Sequence, residues 1–362
     1  MIGSSILSSQ NHRSFDVRQL SATYTTMTIE EVINHIEQRI VVMLAAITAL
    51  VLFIIVMVAV SFYFYHVAIA RADKEFLAEN PDLAANADVE NPFADSKDWW
   101  SAQSFENWSL IADDGLKLHA YYLPAKKATN QTVLLAHGYA GRSEQMSSFA
   151  QMYYEDLGFN VLLPDARGHG LSEGDYIGFG WPERKDVVKW IQRIVERTGE
   201  EAQIVLHGVS MGAATVMMTS GEELPSQVKA IVADCGYTSV ADELTYQLKR
   251  MYKLPSFPIL QSTSCLTKLR AGYSFQEASA LKQVKKSKTP ILFIHGGGDL
   301  FVPTEMVYRL YENGPAEKRL FVVPGAGHGL ARQFDPEGYD REVTEFIGTY
   351  VREENKRAAM VR

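Results

Sequence analysis

The sequence predicts an α/β domain built on an eight-stranded, mostly parallel sheet with helices on both faces, preceded by one long apolar helix. Two observations support this prediction. Residues 40–70 contain no charged side chain, and residues 101–362 alternate short apolar segments with helical patterns. Strands that are covered by helices on both faces have nearly continuous apolar sequences, and parallel strands require helices between them.

The uncharged run at 40–70 is bounded by Arg39 and Arg71. A bilayer core of ~30 Å requires about 20 apolar helical residues, and this run exceeds that length. It starts too late and is too long for the apolar region of a signal peptide, which spans ~7–15 residues. We therefore expect one uncleaved transmembrane helix in contact with the lipid bilayer.

The segments on either side of this run carry weaker signals. Residues 1–39 are expected to contain a disordered start and a short amphipathic helix, because Thr28 and Glu31 form a T-x-x-E capping box. Residues 71–100 contain prolines and asparagines and are interpreted as a juxtamembrane connector. A chain that begins near Asp73 is accordingly expected to fold by itself.

The orientation of the predicted membrane helix is weakly encoded. Residues 20–39 contain one basic side chain, Arg39, and residues 71–90 contain two, Arg71 and Lys74. This difference does not decide the orientation by the positive-inside rule. The working expectation is a single-pass protein of the cell membrane with its large domain on the extracytoplasmic side.

Composition excludes several classes of function. The net charge of −8 shows no basic excess, so we expect no nucleic acid as a partner. The sequence has no G-x-x-x-x-G-K-[ST] loop and no H-E-x-x-H motif. Its two cysteines, Cys235 and Cys265, leave room for one disulfide but not for a four-cysteine zinc site. We expect no cofactor and no metal.

The large domain, residues 101–362, contains eight candidate strands and at least two amphipathic helical patterns. The helical patterns cover residues 143–157 and 183–197, where apolar side chains share one helix face. The candidate strands are 106–111, 117–123, 132–136, 160–164, 203–207, 228–233, 290–295 and 319–323. Ligands of such sheets bind beyond the carboxyl ends of the strands, so polar residues at those ends are the candidates for function.

The strongest motif is G-x-S-x-G at residues 208–212, between the apolar strand QIVLH and the small-residue helix MGAATVMM. A serine on a sharp strand-to-helix turn projects its hydroxyl clear of the sheet. Glycines flank such a turn because a Cβ there would clash. We predict Ser210 as a nucleophile.

A serine hydroxyl is a weak nucleophile until a base takes its proton. In hydrolases with this turn, the chain order is serine, acid and histidine. Only His295 and His328 follow Ser210. His295 lies inside an apolar strand, whereas His328 lies in the loop GAGHG after a late strand. We predict His328 as the base.

Two carboxylates could orient this histidine. Asp299 follows a strand in HGGGDLFVP, and Asp234 ends the strand VKAIVAD. An orienting carboxylate must be fixed to a fraction of an ångström, and three glycines with a Val-Pro pair make the rigid turn. We predict Asp299 as the acid and keep Asp234 as the alternative.

An oxyanion hole requires two backbone N–H donors. One is expected at Met211, which follows the nucleophile, and the other at Tyr139, in the loop HGYAG after an early strand. The sequence His295-Gly296-Gly297-Gly298 imitates an H-G-G-G oxyanion motif but follows the nucleophile, so it fails the order test. Its glycines are interpreted as the turn that delivers Asp299.

These residues carry a resemblance. From about Trp99 to the C-terminus the chain resembles the α/β-hydrolase superfamily, in particular bacterial membrane-anchored hydrolases of the serine aminopeptidase and acylaminoacyl-peptidase-like branch. The matching motifs are LLAHGYAG, LLPDARGHGLSEG, HGVSMGAAT, IHGGGDLFVP and GAGHG. Related sequences often carry alanine where this one has Gly329. In the superfamily the segment with His169 shapes a loop near the pocket, and His169 is not predicted as catalytic.

The resemblance implies an α/β-hydrolase fold with a small helical cap at about 236–289. It also implies cleavage of acyl bonds, in esters, thioesters or short peptides, through the Ser210-His328-Asp299 triad and an acyl-enzyme. The expected class is a serine hydrolase, either a carboxylic-ester hydrolase or peptidase-like. The alternative is an α/β-hydrolase scaffold that binds a ligand or partner without turnover.

Overall fold

The computed structural model describes residues 28–72, 74, 77, 80 and 96–352. The expected disordered start, residues 1–26, and most of the expected connector, residues 71–100, lie outside this part of the chain. The chain divides into two compact units, Met1–Val56 and Met57–Arg362.

The helices account for much of both units. A π-helical turn, Tyr65–Ile69, follows the first helix, and a 3₁₀ turn, Ser143–Met146, and a second π-helical turn, Met152–Asp156, flank the third. The helices are α1 (Ile29–Phe64), α2 (Ser96–Ser101), α3 (Ser147–Gln151), α4 (Glu183–Thr198), α5 (Met211–Thr219), α6 (Val240–Tyr252), α7 (Ile259–Ala271), α8 (Ala280–Val284), α9 (Glu305–Glu312), α10 (Ala331–Phe334) and α11 (Pro336–Tyr350).

Helix α1 begins at the predicted capping box. The Thr28 N–H donates to the Glu31 carboxylate at 2.7 Å, and the Glu31 N–H donates to Thr28 Oγ1 at 3.3 Å. The helix then runs for 36 residues without a break, so the expected short amphipathic helix is the first part of α1. Within the described residues, Ile29–Ile69 is long and apolar enough to cross a membrane.

One eight-stranded sheet forms the centre of the second unit. Its order is β1-β2-β4-β3-β5-β6-β7-β8; β1 pairs antiparallel with β2 and β2 with β4, and all other pairs are parallel. The predicted strands are confirmed to within two residues at each end. They are β1 (Glu106–Ile111), β2 (Lys117–Leu123), β3 (Gln131–Ala136), β4 (Asn160–Pro164), β5 (Gln203–Val209), β6 (Val228–Asp234), β7 (Ile291–Gly296) and β8 (Lys318–Val323).

The buried strands send alternate side chains into two apolar cores. On β3, Leu134 packs in the core that contains α4 and α5, while Val133 and Leu135 pack in the core that contains α3 and α11. Both faces of the sheet are therefore covered by helices, as the apolar sequences of the strands predicted.

The connection from β6 to β7 contains α6, α7 and α8, which agrees with the helical cap expected at about 236–289. The carboxyl ends of the parallel strands β3, β5, β6 and β7 meet at one edge of the sheet. Every polar residue singled out for function follows one of these strands or β8.

The end of the apolar helix belongs to the second unit, which begins at Met57. Tyr65 and Ile69 are 5% and 0% exposed, and they pack among the side chains of its core. The Ile177 N–H donates to the Ile69 carbonyl at 2.7 Å. The structural division therefore differs from the predicted boundary at residue 71, because the last turns of the uncharged run face protein.

A chain that begins at Asp73 should consequently be less stable than one that begins at Met57. Burial of one large side chain contributes roughly 1.5–3 kcal/mol, so loss of Tyr65 and Ile69 should lower the free energy of unfolding by about 3–6 kcal/mol. The measurement is urea unfolding of both chains in the same detergent. Equal unfolding midpoints would restore the expectation that the domain is complete from Asp73.

Candidate active site

Ser210 lies on the sharp turn between β5 and α5, with φ +57° and ψ −116°. This left-handed conformation is costly for a residue with a Cβ. The turn requires glycine at positions 208 and 212. A Cβ on Gly208 would collide with the backbone of Gly212, and a Cβ on Gly212 would collide with the Ala136 carbonyl. The Ser210 N–H donates to the Asp234 carbonyl at 2.8 Å, which ties the turn to the end of β6.

Ser210, His328 and Asp299 form a hydrogen-bonded row. His328 Nδ1 lies 2.7 Å from Asp299 Oδ2, and His328 Nε2 lies 2.8 Å from Ser210 Oγ. An ionised carboxylate only accepts hydrogen bonds, so Nδ1 carries the ring hydrogen and Nε2 accepts from the serine hydroxyl. The arrangement suits transfer of the serine proton to the histidine.

Asp299 is held by four donors. Its Oδ1 accepts from the N–H groups of Phe301 and Val302, both at 2.9 Å, and its Oδ2 lies 2.7 Å from His328 and 3.3 Å from His295 Nε2. Burial raises the pKa of Asp299, but electrostatic interaction with His328 and hydrogen bonds from both histidines outweigh this effect and hold the pKa well below its usual value. The carboxylate therefore stays ionised.

His295, which was not predicted as the base because it lies inside an apolar strand, is located beside the acid. Its Nε2 donates to the Val302 carbonyl at 2.9 Å and also faces Asp299, and the ring is fully buried. The histidine thus helps fix the turn on which Asp299 lies.

Asp234, the alternative acid, has a different partner. The Tyr339 hydroxyl donates to its Oδ2 at 3.0 Å. His207 lies between Tyr339 and Tyr153, with ring nitrogens 3.1 Å and 3.2 Å from their hydroxyl oxygens. Burial lowers the pKa of His207 to about 3, so its ring is neutral. Tyr153, His207 and Tyr339 therefore form an uncharged network that ends at the Asp234 carboxyl. Geometry therefore favours Asp299 as the partner of His328.

The loop after β3 lies beside the nucleophile. A Cβ placed on Gly138 would lie 3.5 Å from the Ser210 Cβ. The next residue, Tyr139, donates its hydroxyl to the Ala68 carbonyl at 2.8 Å. The loop is thus near enough to serve an oxyanion, and donation by the N–H groups of Tyr139 and Met211 stays a prediction.

The segment with His169 has structural partners. Arg167 forms a two-pronged ion pair with Asp186, with distances of 2.8 Å and 2.7 Å. His169 Nδ1 lies 2.9 Å from the Arg167 carbonyl oxygen, and burial lowers the pKa of His169 to about 3. A ring that stays neutral and bonds within its own loop fits the prediction that His169 is not catalytic.

Ser210 lies in the wall of an apolar cavity of about 100 Å³. This is comparable to an engineered cavity of ~150 Å³ that takes up benzene. Helix α6 supplies Leu244, Leu248 and Met251 to its wall, helix α7 supplies Leu260, and the end of the apolar helix supplies further side chains. The cavity therefore offers space for an apolar group next to the serine hydroxyl.

One carboxyl lies in the wall of this cavity. Glu243 is 4% exposed, and its Oε1 accepts from Gln247 Nε2 at 2.8 Å. Burial raises the pKa of Glu243 to about 8, so the group is mostly protonated at neutral pH. The described wall of the cavity thus carries little charge.

One cluster among the described residues consists of side chains of the types that bind metal ions. Cys235 Sγ, an oxygen of Asp299 and a ring nitrogen of His328 lie within 4.8 Å of one another. A thiol must lose its proton to bind a metal, but burial raises the pKa of Cys235 well above its usual value. Asp299 and His328 also bond to each other, so the donor set does not fit a metal. Both cysteines are free thiols.

Comparison with known proteins shows similarity of sequence and of fold. The family model described as Serine aminopeptidase, S33 matches residues 127–264. The chain is 32% identical to the uncharacterized protein YqkD of Bacillus subtilis over 64% of this chain and 76% of that protein. It is 24% identical to the uncharacterized membrane protein YNL320W of Saccharomyces cerevisiae, over 62% and 73% of the two chains.

Among solved structures, an esterase of Pyrococcus furiosus, Pf2001, superposes with a TM-score of 0.55 at 24% identity, over 69% of this chain and 92% of that chain. The fold and the strand-turn-helix at Ser210 are those of an α/β hydrolase, a superfamily of esterases and peptidases. The chain belongs to the serine aminopeptidase S33 family within it.

The buried carboxyl of Asp234 should depress stability as the pH rises. Burial raises its pKa to about 6, so between about pH 4 and 6 the folded chain keeps a proton that the unfolded chain has lost. A shift of two pKa units corresponds to about 3 kcal/mol. Asp234→Asn has no such titration, so its free energy of unfolding relative to the unsubstituted chain should rise by up to that amount between pH 4 and 7.

The measurement is denaturant unfolding of both chains at several pH values between 4 and 7. The exposed Asp156→Asn serves as the matched control and should show no such trend. Parallel pH curves for Asp234→Asn and the unsubstituted chain would contradict the shifted pKa.

Proposed function

We propose that the protein is a membrane-anchored serine hydrolase that cleaves acyl bonds in esters, thioesters or short peptides through an acyl-enzyme. The observation that carries the proposal is the hydrogen-bonded row Ser210-His328-Asp299 on a strained turn that opens into a cavity. The S33 family and the α/β-hydrolase fold support hydrolysis as the reaction.

The proposed chemistry has two halves. In the first, Ser210 Oγ attacks the acyl carbonyl carbon while His328 Nε2 takes the serine proton, and Asp299 stabilises the charged ring. The carbonyl oxygen becomes negative and accepts hydrogen bonds from the N–H groups of Tyr139 and Met211. His328 then gives the proton to the leaving group, whose bond to the acyl carbon breaks. In the second half, water attacks the acyl-enzyme by the same route and frees Ser210.

The anchor in this proposal is the apolar helix. Ile29–Ile69 is a candidate span, and the related yeast protein is named a membrane protein. The orientation of the span stays an expectation.

The alternative, a scaffold without turnover, would need no ordered base beside Ser210. Both nitrogens of His328 are engaged at hydrogen-bond distance, and Asp299 has donors on both oxygens. Such an arrangement favours catalysis over binding alone.

Loss of either member of the proton-transfer pair should abolish turnover. Ser210→Ala and His328→Ala should each lower kcat for a short acyl ester by at least ~10³-fold, and the double variant should be little worse than either single variant because the residues act as a unit. The exposed Ser226→Ala is the matched control and should keep its activity.

A fluorophosphonate probe provides the direct readout, since it should label the unsubstituted chain and Ser226→Ala but not Ser210→Ala. A folded chain that neither reacts with the probe nor turns over esters would support the scaffold alternative. Strictly additive losses would show that Ser210 and His328 do not form one proton-transfer system.

Substitution of the two buried aspartates, Asp299 and Asp234, should have different effects on turnover. Asp299→Asn should keep the fold but lower kcat by about 10³–10⁴-fold, because the amide favours the wrong tautomer of His328. Asp234→Asn, which alters a carboxyl bonded to Tyr339, should retain most of its turnover. Steady-state kinetics on a short ester measure both, and the reverse pattern would make Asp234 the acid.

A further inference from the structure

The cavity at Ser210 has a wall that the hydrolase motifs do not supply. Phe64, Val67 and Ala68 line it, and all three come from the last turns of the apolar helix. The cap residues Leu248 and Tyr252, from α6, line the same cavity. The ring of Phe64 meets that of Tyr252 edge to face, with centroids 5.1 Å apart.

Hydrogen bonds hold the segment that carries Phe64, Val67 and Ala68 in place. The Arg71 guanidinium donates to the carbonyls of Gly170 and Ser172, both at 2.9 Å. The Lys74 ammonium donates to the carbonyls of Val67 and Ala70, both at 2.8 Å. A lysine at the end of a helix satisfies carbonyls that have no partner within the helix.

A further bond joins this wall to the predicted oxyanion loop. The Tyr139 hydroxyl donates to the Ala68 carbonyl at 2.8 Å. The methyl group of Ala68 is the smallest side chain that the helix presents to the cavity, so it leaves space that a larger side chain would fill. A larger side chain at residue 68 would therefore reduce the volume of the cavity that Ser210 also lines.

We propose that the cavity takes the acyl chain of a lipid-like ester or thioester, and that Phe64, Val67 and Ala68 set the chain length that Ser210 accepts. The inference rests on the proposed function. Apolar walls and a mostly protonated Glu243 favour an alkyl chain over a charged group. The cavity would bind the same alkyl chain whether the ester is dissolved in water or resides in a bilayer.

The test uses the full chain in phosphatidylcholine nanodiscs with p-nitrophenyl esters from acetyl to dodecanoyl. Ala68→Phe should lower the ratio of kcat/KM for hexanoyl to that for acetyl by roughly tenfold or more, since a few methylenes decide binding in an apolar pocket. Ala59→Phe, on the exposed part of the same helix, is the matched control and should leave this ratio unchanged.

A second pair of variants keeps the test independent of folding in Ala68→Phe. Phe64→Ala should shift the preferred ester to a longer chain, whereas Phe53→Ala, at a position that is 54% exposed, should not. Identical chain-length profiles for both cavity variants and both controls would overturn the proposal.

Labelling of Ser210 by a small fluorophosphonate separates this result from failure of the proposed function. Labelled, active protein with a flat chain-length profile would overturn only the acyl-chain site, whereas unlabelled, inactive protein would overturn both proposals. Vesicles of didecanoyl phosphatidylcholine show whether the ester comes from a bilayer or from solution. If the unsubstituted chain releases fatty acid from the vesicles and Ala68→Phe releases less, the substrate is a bilayer lipid. If Ala68→Phe lowers only the hydrolysis of dissolved esters, the substrate is a dissolved ester.

Discussion

The left-handed backbone at Ser210 is the constraint on which the site depends. A serine with φ +57° persists only where its surroundings hold it. The glycines at 208 and 212 allow β3, β5 and α5 to approach closely, and the bond from the Ser210 N–H to the Asp234 carbonyl fastens the turn to β6. The parallel sheet thus supplies the rigidity that positions the hydroxyl.

The same sheet explains why His328 finds its partners. Its loop follows β8 and that of Asp299 follows β7, and these strands are parallel neighbours. Their loops therefore leave the sheet at one edge. Asp299 has a second layer of support from His295 and two backbone N–H groups, so the carboxylate has little freedom to turn away. Asp234 lies one strand nearer to Ser210, but Tyr339 and His207 occupy its surroundings.

Sequence patterns predicted the strands and the residues of the row, and physical reasons explain what they missed. Apolar runs and glycine-bounded turns are local signals, so β1 to β8 and the turn at Ser210 were readable. The role of His295 was not, because its contact with Asp299 depends on how one turn folds back. The network of Tyr153, His207 and Tyr339 joins residues far apart in the chain, and no local signal marks it.

The boundary at the end of the apolar helix was the hardest feature to predict. The uncharged run has 31 residues, from 40 to 70, whereas a bilayer requires about 20. The second unit includes residues 57–70, which leaves 17 residues, 40–56, at the lower limit for a span before the preceding turns of α1 are counted. Lipid and protein interior both select apolar side chains, so hydropathy cannot separate Val51 at 49% exposure from Ile69 at 0%. Contacts with the folded domain distinguish them, such as the bond from the Ile177 N–H to the Ile69 carbonyl and the bond from the Tyr139 hydroxyl to the Ala68 carbonyl, and a local sequence pattern does not record such contacts.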